Sequence, residues 1–237
     1  MSNFKKQIPR NAYRRDVYLA YLIEGARRTN PDGYPIIEGW MIEKKIPKHL
    51  AQWDKRNCVD DPEQTAMSFY CIDSALTPVL NHPDKYVEKL KQYQCVIGMD
   101  ASPYDNMPLV VQKSQIYLNL AITYYYGKQG IKVIPNVRVG TNDTLSSLAA
   151  YPHNHLIAIG TNGFTHSKAN RIIFKEQVAF IINSLEPSGI LVYSPASDYV
   201  FEEAVKRRVP LYQYDSYMML RNRSAVRSRK AGATDER

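Results

Sequence analysis

Asn136 and Arg138 stand two residues apart at the end of the apolar run KVIPNVR, a spacing that turns both side chains to one face of a strand. An amide and a guanidinium side by side suit a planar or anionic ligand, although Asn136 could equally bond loop backbone after Pro135. Asp100 closes a second run, CVIGMD, and Arg138 brought beside it from a neighbouring strand would hold it charged with a depressed pKa. Such a pair could clamp a phosphate or sugar, or tie two loops together. A third run, LIAIGTN, leads into Gly160-Thr161-Asn162-Gly163 and then a helix beginning near Ser167. Backbone N–H groups and the helix dipole could receive an anion there, or the segment could be an ordinary strand-to-helix turn. It lacks the glycine pattern of a Walker or dinucleotide fingerprint.

Other constellations carry less. Asp73, Asp100 and Asp215 each follow an apolar run and could converge on Mg²⁺ through hard carboxylate oxygens, or cap helices. Tyr193-Ser194-Pro195 offers a hydroxyl, but no histidine stands beside it at a recognisable spacing, so a serine hydrolase is not supported. His153-Asn154-His155 and Tyr124-Tyr125-Tyr126 resemble parts of rolling-circle nucleases, yet the residue between the histidines is not apolar. The surrounding β/α alternation is also wrong for their antiparallel sheet. Cys58, Cys71 and Cys95 form no C-x-x-C pair, which argues against a disulfide framework or a zinc knuckle.

What must position these residues is a set of short strands. CVIGMD, KVIPNVR, LIAIGTN, GILVYS and LYQYD each end in polar residues, and most are separated by stretches of helical length, the crossover that parallel strands require. SFYCIDS, from Ser68 to Ser74, is expected to add a sixth. Helices are expected at about Leu109 to Lys128, stopped by Gly130, at Lys168 to Leu185 with Ile173, Phe174, Val178, Ile181 and Ile182 toward the core, and over His82 to Gln92 and Asp198 to Arg207. The fold class is α/β with five or six parallel strands. An incomplete (β/α) barrel is favoured over an open doubly wound sheet because polar residues close almost every strand.

Residues 1–67 are expected to form an N-terminal helix over Asp16 to Arg28 and an irregular segment rich in turn signals, both packed on a core of residues 68–220. Apolar residues make up 44% of the 237, which excludes a disordered chain; no run reaches the length of a membrane span and the start has no signal-peptide character. A cytoplasmic protein with no membrane partner is expected. The formal net charge is +8, yet residues 1–15 carry +5 and residues 221–237 carry +4, leaving −1 for the body. Nucleic-acid contact, if any, would therefore come from the termini, with Arg221, Arg223, Arg227, Arg229 and Lys230 in a basic tail, 221–237, that is expected to be disordered.

DVYLAYLIEGA near the start, D-A-S-P-Y-D-N-M-P at Asp100 to Pro108, Q-G-I-K-V-I-P-N-V-R at Gln129 to Arg138, A-I-G-T-N-G at Ala158 to Gly163 and L-V-Y at Leu191 to Tyr193 together carry a resemblance. In these motifs the chain resembles domain-of-unknown-function family 4417 of bacteria, phages and other mobile elements. The resemblance implies a mobile-element context and a set of recurring positions: Asp100, Ser102, Tyr104, Pro108, Asn136, Arg138, Gly160 and Thr161. Ala101 stands where an aromatic is usual in the family, Asn106 where an acid is frequent and Val139 where Trp is common. The first two departures tell against a two-carboxylate mechanism. The leading expectation is an enzyme acting on a phosphate- or sugar-containing ligand, a nucleotide or nucleic acid, with Asp100 as acid/base or metal-facing group. Ser102, Tyr104, Asn136, Arg138 and Gly160 to Gly163 would hold the ligand, with Mg²⁺ the one cofactor considered. The competing expectation is a non-catalytic nucleic-acid-binding accessory protein.

Overall fold

The computed structural model describes residues 19–162, 167–216 and 219. Seven parallel strands form two sheets among them: β1 (His49–Gln52), β2 (Thr65–Ser68), β3 (Cys95–Ile97) and β4 (Val133–Ile134) in one, β5 (Leu156–Gly160), β6 (Gly189–Tyr193) and β7 (Leu211–Tyr214) in the other. Within each sheet the strands neighbour one another in chain order. β5 and β6 are buried along their whole length, as strands covered on both faces must be, and their Leu, Ile and Val content follows from that.

The two sheets meet through one parallel bridge, Asn136 to Ala158, in which the Val137 N–H donates to the Ala158 carbonyl at 2.9 Å and the Ala158 N–H to the Pro135 carbonyl at 2.8 Å. On the far side the Tyr214 hydroxyl donates to the Pro47 carbonyl at 2.5 Å, linking the end of β7 to the lead-in of β1. Between these, the rings of Tyr70, just past β2, and Tyr193, in β6, stack at 4.6 Å. These contacts join the two sheets.

Crossovers cover the strands. α1 (Asp73–Asn81) and α2 (Val87–Leu90) connect β2 to β3, and α3 (Leu109–Lys128) connects β3 to β4. A nine-residue 3-10 segment, Asn142–Ala150, connects β4 to β5; α4 (Lys168–Leu185) and α5 (Glu202–Arg207) carry the last two crossovers. α3 and α4 occupy the stretches their periodicity predicts. Ile116, Leu120 and Tyr124 are buried, and Gly130 takes a φ of +85° just beyond α3, a conformation that costs glycine little. Ile173 differs from expectation, standing 52% exposed beside the buried Phe174.

The N-terminal part also differs. The described portion of the expected Asp16–Arg28 helix holds only a 3-10 turn, Ala20–Ile23; Gly25 turns the chain with a φ of +79° and Arg28 pairs antiparallel with Pro35. β1 lies inside the stretch expected to be irregular. The strand expected at Ser68–Ser74 instead ends at Ser68, and Asp73 opens α1. Among the described residues no helix is long and apolar enough to cross a membrane.

Candidate functional site

Asp100, Asn136 and Arg138 come together past the ends of β3 and β4. Asn136 Nδ2 donates to Asp100 Oδ1 at 2.7 Å and to the Met99 carbonyl at 3.3 Å, while Arg138 Nε faces the same Asp100 oxygen at 3.5 Å. The Asn136 Oδ1 accepts from the Tyr70 hydroxyl at 3.0 Å. Its amide is thus used at both ends, holding the carboxylate and the phenol in register. The Tyr151 hydroxyl donates to the Asn136 carbonyl at 3.3 Å from the other side.

The electrostatics correct the expected direction. Burial drives the Asp100 carboxyl above its ordinary value, because the loss of solvation outweighs the opposing pull of Arg138 and of the Asn136 hydrogen bond; the Asp73 charge adds to the rise. Only 7% of Asp100 is exposed, so water cannot make up what the single cation leaves. Burial also pushes the Tyr70 phenol well up, with the Asp100 charge reinforcing it. The cluster favours neutral hydrogen-bonding groups around one guanidinium.

Gly160 fits because of Tyr70: a Cβ there would lie 2.8 Å from the ring edge. Thr161 is held inward, its hydroxyl bonding the carbonyls of Tyr193 at 3.3 Å and Pro195 at 3.2 Å, and its N–H the Tyr193 carbonyl at 3.1 Å. Asn162 accepts from the Ser194 hydroxyl at 2.6 Å through its side-chain oxygen. These bonds tie β5 to β6, so the side chains of Thr161 and Asn162 serve the turn. Ser194 takes a φ of +83°, an uncommon conformation for a residue with a side chain. Gly163 and the cationic set Arg221, Arg223, Arg227, Arg229 and Lys230 lie outside the described residues.

Ser102 and Tyr104 are directed elsewhere. Their hydroxyls donate to the two oxygens of Asp73, at 3.4 and 3.2 Å, where the loop after β3 meets the start of α1. A groove of about 310 Å³ opens there. Among the described residues no group of three or more His, Cys, Asp or Glu is arranged to hold a metal ion. His153 and His155 precede β5, at the opposite end from Asp100.

The loop bearing Asp100 is fixed by a buried polar stripe on α3 that sequence reasoning missed. Asn119 pairs with both backbone groups of Ala101, accepting from its N–H at 2.8 Å and donating to its carbonyl at 2.8 Å. The Thr123 hydroxyl accepts from the Met99 N–H at 3.2 Å. Gln112 donates to the Met107 carbonyl at 2.8 Å and accepts from the Thr141 N–H at 2.8 Å, joining the loops after β3 and β4. The spacing of these three polar residues, seven and four apart, puts them on one helical face and was the available signal. Tyr70 and Tyr193 gave none, since aromatics at strand ends usually pack.

A model of the domain of unknown function DUF4417 matches residues 35–215, the span that contains every described strand and the whole cluster. The chain belongs to the DUF4417 family. It is similar to the Gene 1 protein of Mycobacterium phage L5, 25% identical over 151 residues covering 62% of this chain and 66% of that protein. It is also similar to the Gene 1 protein of Mycobacterium phage D29, 23% identical over 154 residues, 62% of this chain and 56% of that protein. The matches thus span somewhat under two thirds of the lengths of these relatives. No solved structure matches the chain.

Proposed function

We propose that this DUF4417 member is a phage or mobile-element enzyme acting on a phosphate- or sugar-containing ligand, a nucleotide or nucleic acid, in the host cytoplasm. The observation that carries the reading is the buried Asp100 carboxyl, raised in pKa and held by Asn136 within reach of Arg138. A carboxyl whose pKa is raised by burial holds its proton to higher pH than a free one, the direction a general acid needs. Arg138 supplies the positive charge that a phosphate or a developing oxyanion needs. Asn136 positions both. Gly160, Thr161 and Asn162 would line the approach.

We read the two sheets as one incomplete barrel. Strand order that follows chain order across the Asn136–Ala158 bridge supports this, as does the contact of Tyr70 with Tyr193 across the interior. In barrels of this class the C-terminal ends of the strands form the functional face, which is where Asp100 stands.

The test is a thermal-shift screen of nucleotides, sugar phosphates and Mg²⁺, because a ligand selective for the native state raises the melting temperature by mass action. The expected result is a shift with at least one phosphate- or sugar-containing compound, lost in Asp100→Asn and Arg138→Ala proteins that still unfold cooperatively. Retention of the shift in both variants refutes the site.

A second reading rests on the charge distribution, +4 over residues 221–237 against −1 for the body. Here the chain is a nucleic-acid-binding accessory protein that uses Arg221, Arg223, Arg227, Arg229 and Lys230. Deleting 221–237 then removes most affinity for DNA or RNA and flattens a salt dependence that six cations could raise to a slope of roughly −5. An unchanged slope counts against it.

A further inference from the structure

The groove between α1 and the loop after β3 has a lining that differs in kind from the Asp100 cluster. Asp73, Ser74, Thr77, Ser102 and Gln115 give it one carboxylate, three hydroxyls and an amide, and Leu80, Ala101 and Met107 give it apolar wall. Among the described residues no lysine, arginine or histidine lines it. Its volume of about 310 Å³ is at the small end for ligand sites and has room for roughly ten non-hydrogen atoms.

Charge decides what could enter. The start of a helix attracts an anion, but Asp73, the first residue of α1, already supplies that anion. A second negative group would meet the Asp73 carboxylate in the groove wall. A cation does not meet that repulsion. Among the described residues Asp73 forms no ion pair, and the hydroxyls that donate to it do so at 3.4 and 3.2 Å, beyond the usual 2.7–2.8 Å for O–H···O bonds. Both oxygens retain lone pairs for a shorter, charge-assisted bond. Leu80 and Met107 offer apolar contact for a short carbon stem, and Tyr104, 52% exposed, donates to Asp73.

We propose that this groove binds a primary alkylammonium group through Asp73, with its stem against Leu80 and Met107. The shared chemistry belongs to a free aliphatic amine and to the side chain of a lysine. The inference does not depend on the role given to Asp100.

The experiment is an amide-resolved NMR titration of the full chain at pH 7 with pentylamine, 1-pentanol and pentanoate, and in a separate arm with Nα-acetyl-lysine amide. At least one amine is expected to shift the amides of Ser74, Ala101 and Ser102 with a dissociation constant on the order of 1–10 mM. The alcohol and the carboxylate are expected to bind at least tenfold more weakly, and Asp73→Asn should abolish that preference. Tighter binding of pentylamine assigns the groove to free amines, and tighter binding of the lysine derivative assigns it to side chains. If neither amine shifts these amides, or the alcohol binds as well as the amine, the proposal is wrong. Charge selectivity in the unmodified chain decides the matter should Asp73→Asn fail to fold.

Discussion

The rings of Tyr70 and Tyr193 lie 4.6 Å apart and within 10° of parallel, although one follows β2 and the other belongs to β6. β2 and β6 belong to different sheets, so the stack fastens one sheet to the other, while the Tyr70 hydroxyl reaches Asn136 from the same position.

Tyr70→Phe keeps the stack and removes one hydrogen bond to Asn136. We expect a loss of about 1 kcal/mol in urea unfolding. Tyr70→Ala also empties the space against Tyr193 and Gly160, and should cost about 3 kcal/mol or more. Equal losses for the two would show that the ring holds nothing.

The raised Asp100 pKa fixes the sign of a pH effect. In the unfolded chain the carboxyl ionises near its ordinary value of 3.8, whereas the folded protein keeps the proton to higher pH. The folded state therefore binds more protons in that interval, and the contribution of Asp100 to stability falls as pH rises from about 3.8 until the folded group ionises. Asp100→Asn removes this titration. Unfolding of the two proteins across pH 3 to 8 should show the variant gaining relative to the parent as pH rises through that window, then a constant difference. A gain toward low pH would mean that Arg138 outweighs burial.

Gly98, just past β3, packs against the chain just past β4. A Cβ there would stand 2.8 Å from the Asn136 backbone nitrogen and 2.9 Å from Thr123 Oγ1. Backbone cannot swing aside as a side chain can. Gly98→Ala should cost roughly 1–3 kcal/mol and displace Asn136, weakening any ligand whose binding needs Arg138. Unchanged chemical denaturation would contradict the close approach.

Asn119→Leu is close in volume but leaves the Ala101 N–H and carbonyl without their partners. Each buried unpaired group costs about 1–3 kcal/mol, so a loss above 2 kcal/mol is expected, accompanied by faster hydrogen exchange at the Ala101 amide. Exchange as slow as in the parent would show that another group had taken over.

Much of this arrangement was legible in the residues. LIAIG and GILVY are buried on both faces and announce themselves as apolar runs, and the Asn136-x-Arg138 spacing delivered both side chains to Asp100. β1, HLAQ, was illegible because it is a partly exposed edge strand whose four residues need no apolar run. SFYCIDS misled because Phe69 and Tyr70 look like strand residues, whereas both are buried beyond the end of β2. The direction of the Asp100 shift could not be read either. It depends on how completely the fold strips water from one carboxylate, and the identity of its partners does not reveal that. Ser102 and Tyr104 share a motif with Asp100, yet Asn119 holds Ala101 and the hydroxyls beyond it reach Asp73.

The Tyr214 hydroxyl on the Pro47 carbonyl has a mechanical meaning. Among the described residues no ladder of backbone bonds joins β7 to β1, so the two sheets meet there through a phenol on a carbonyl. A seam fastened by side chains parts at a lower free energy than a ladder does. Breathing of the native protein should begin along it, giving the strand ends transient access to solvent while the ladders within each sheet stay paired.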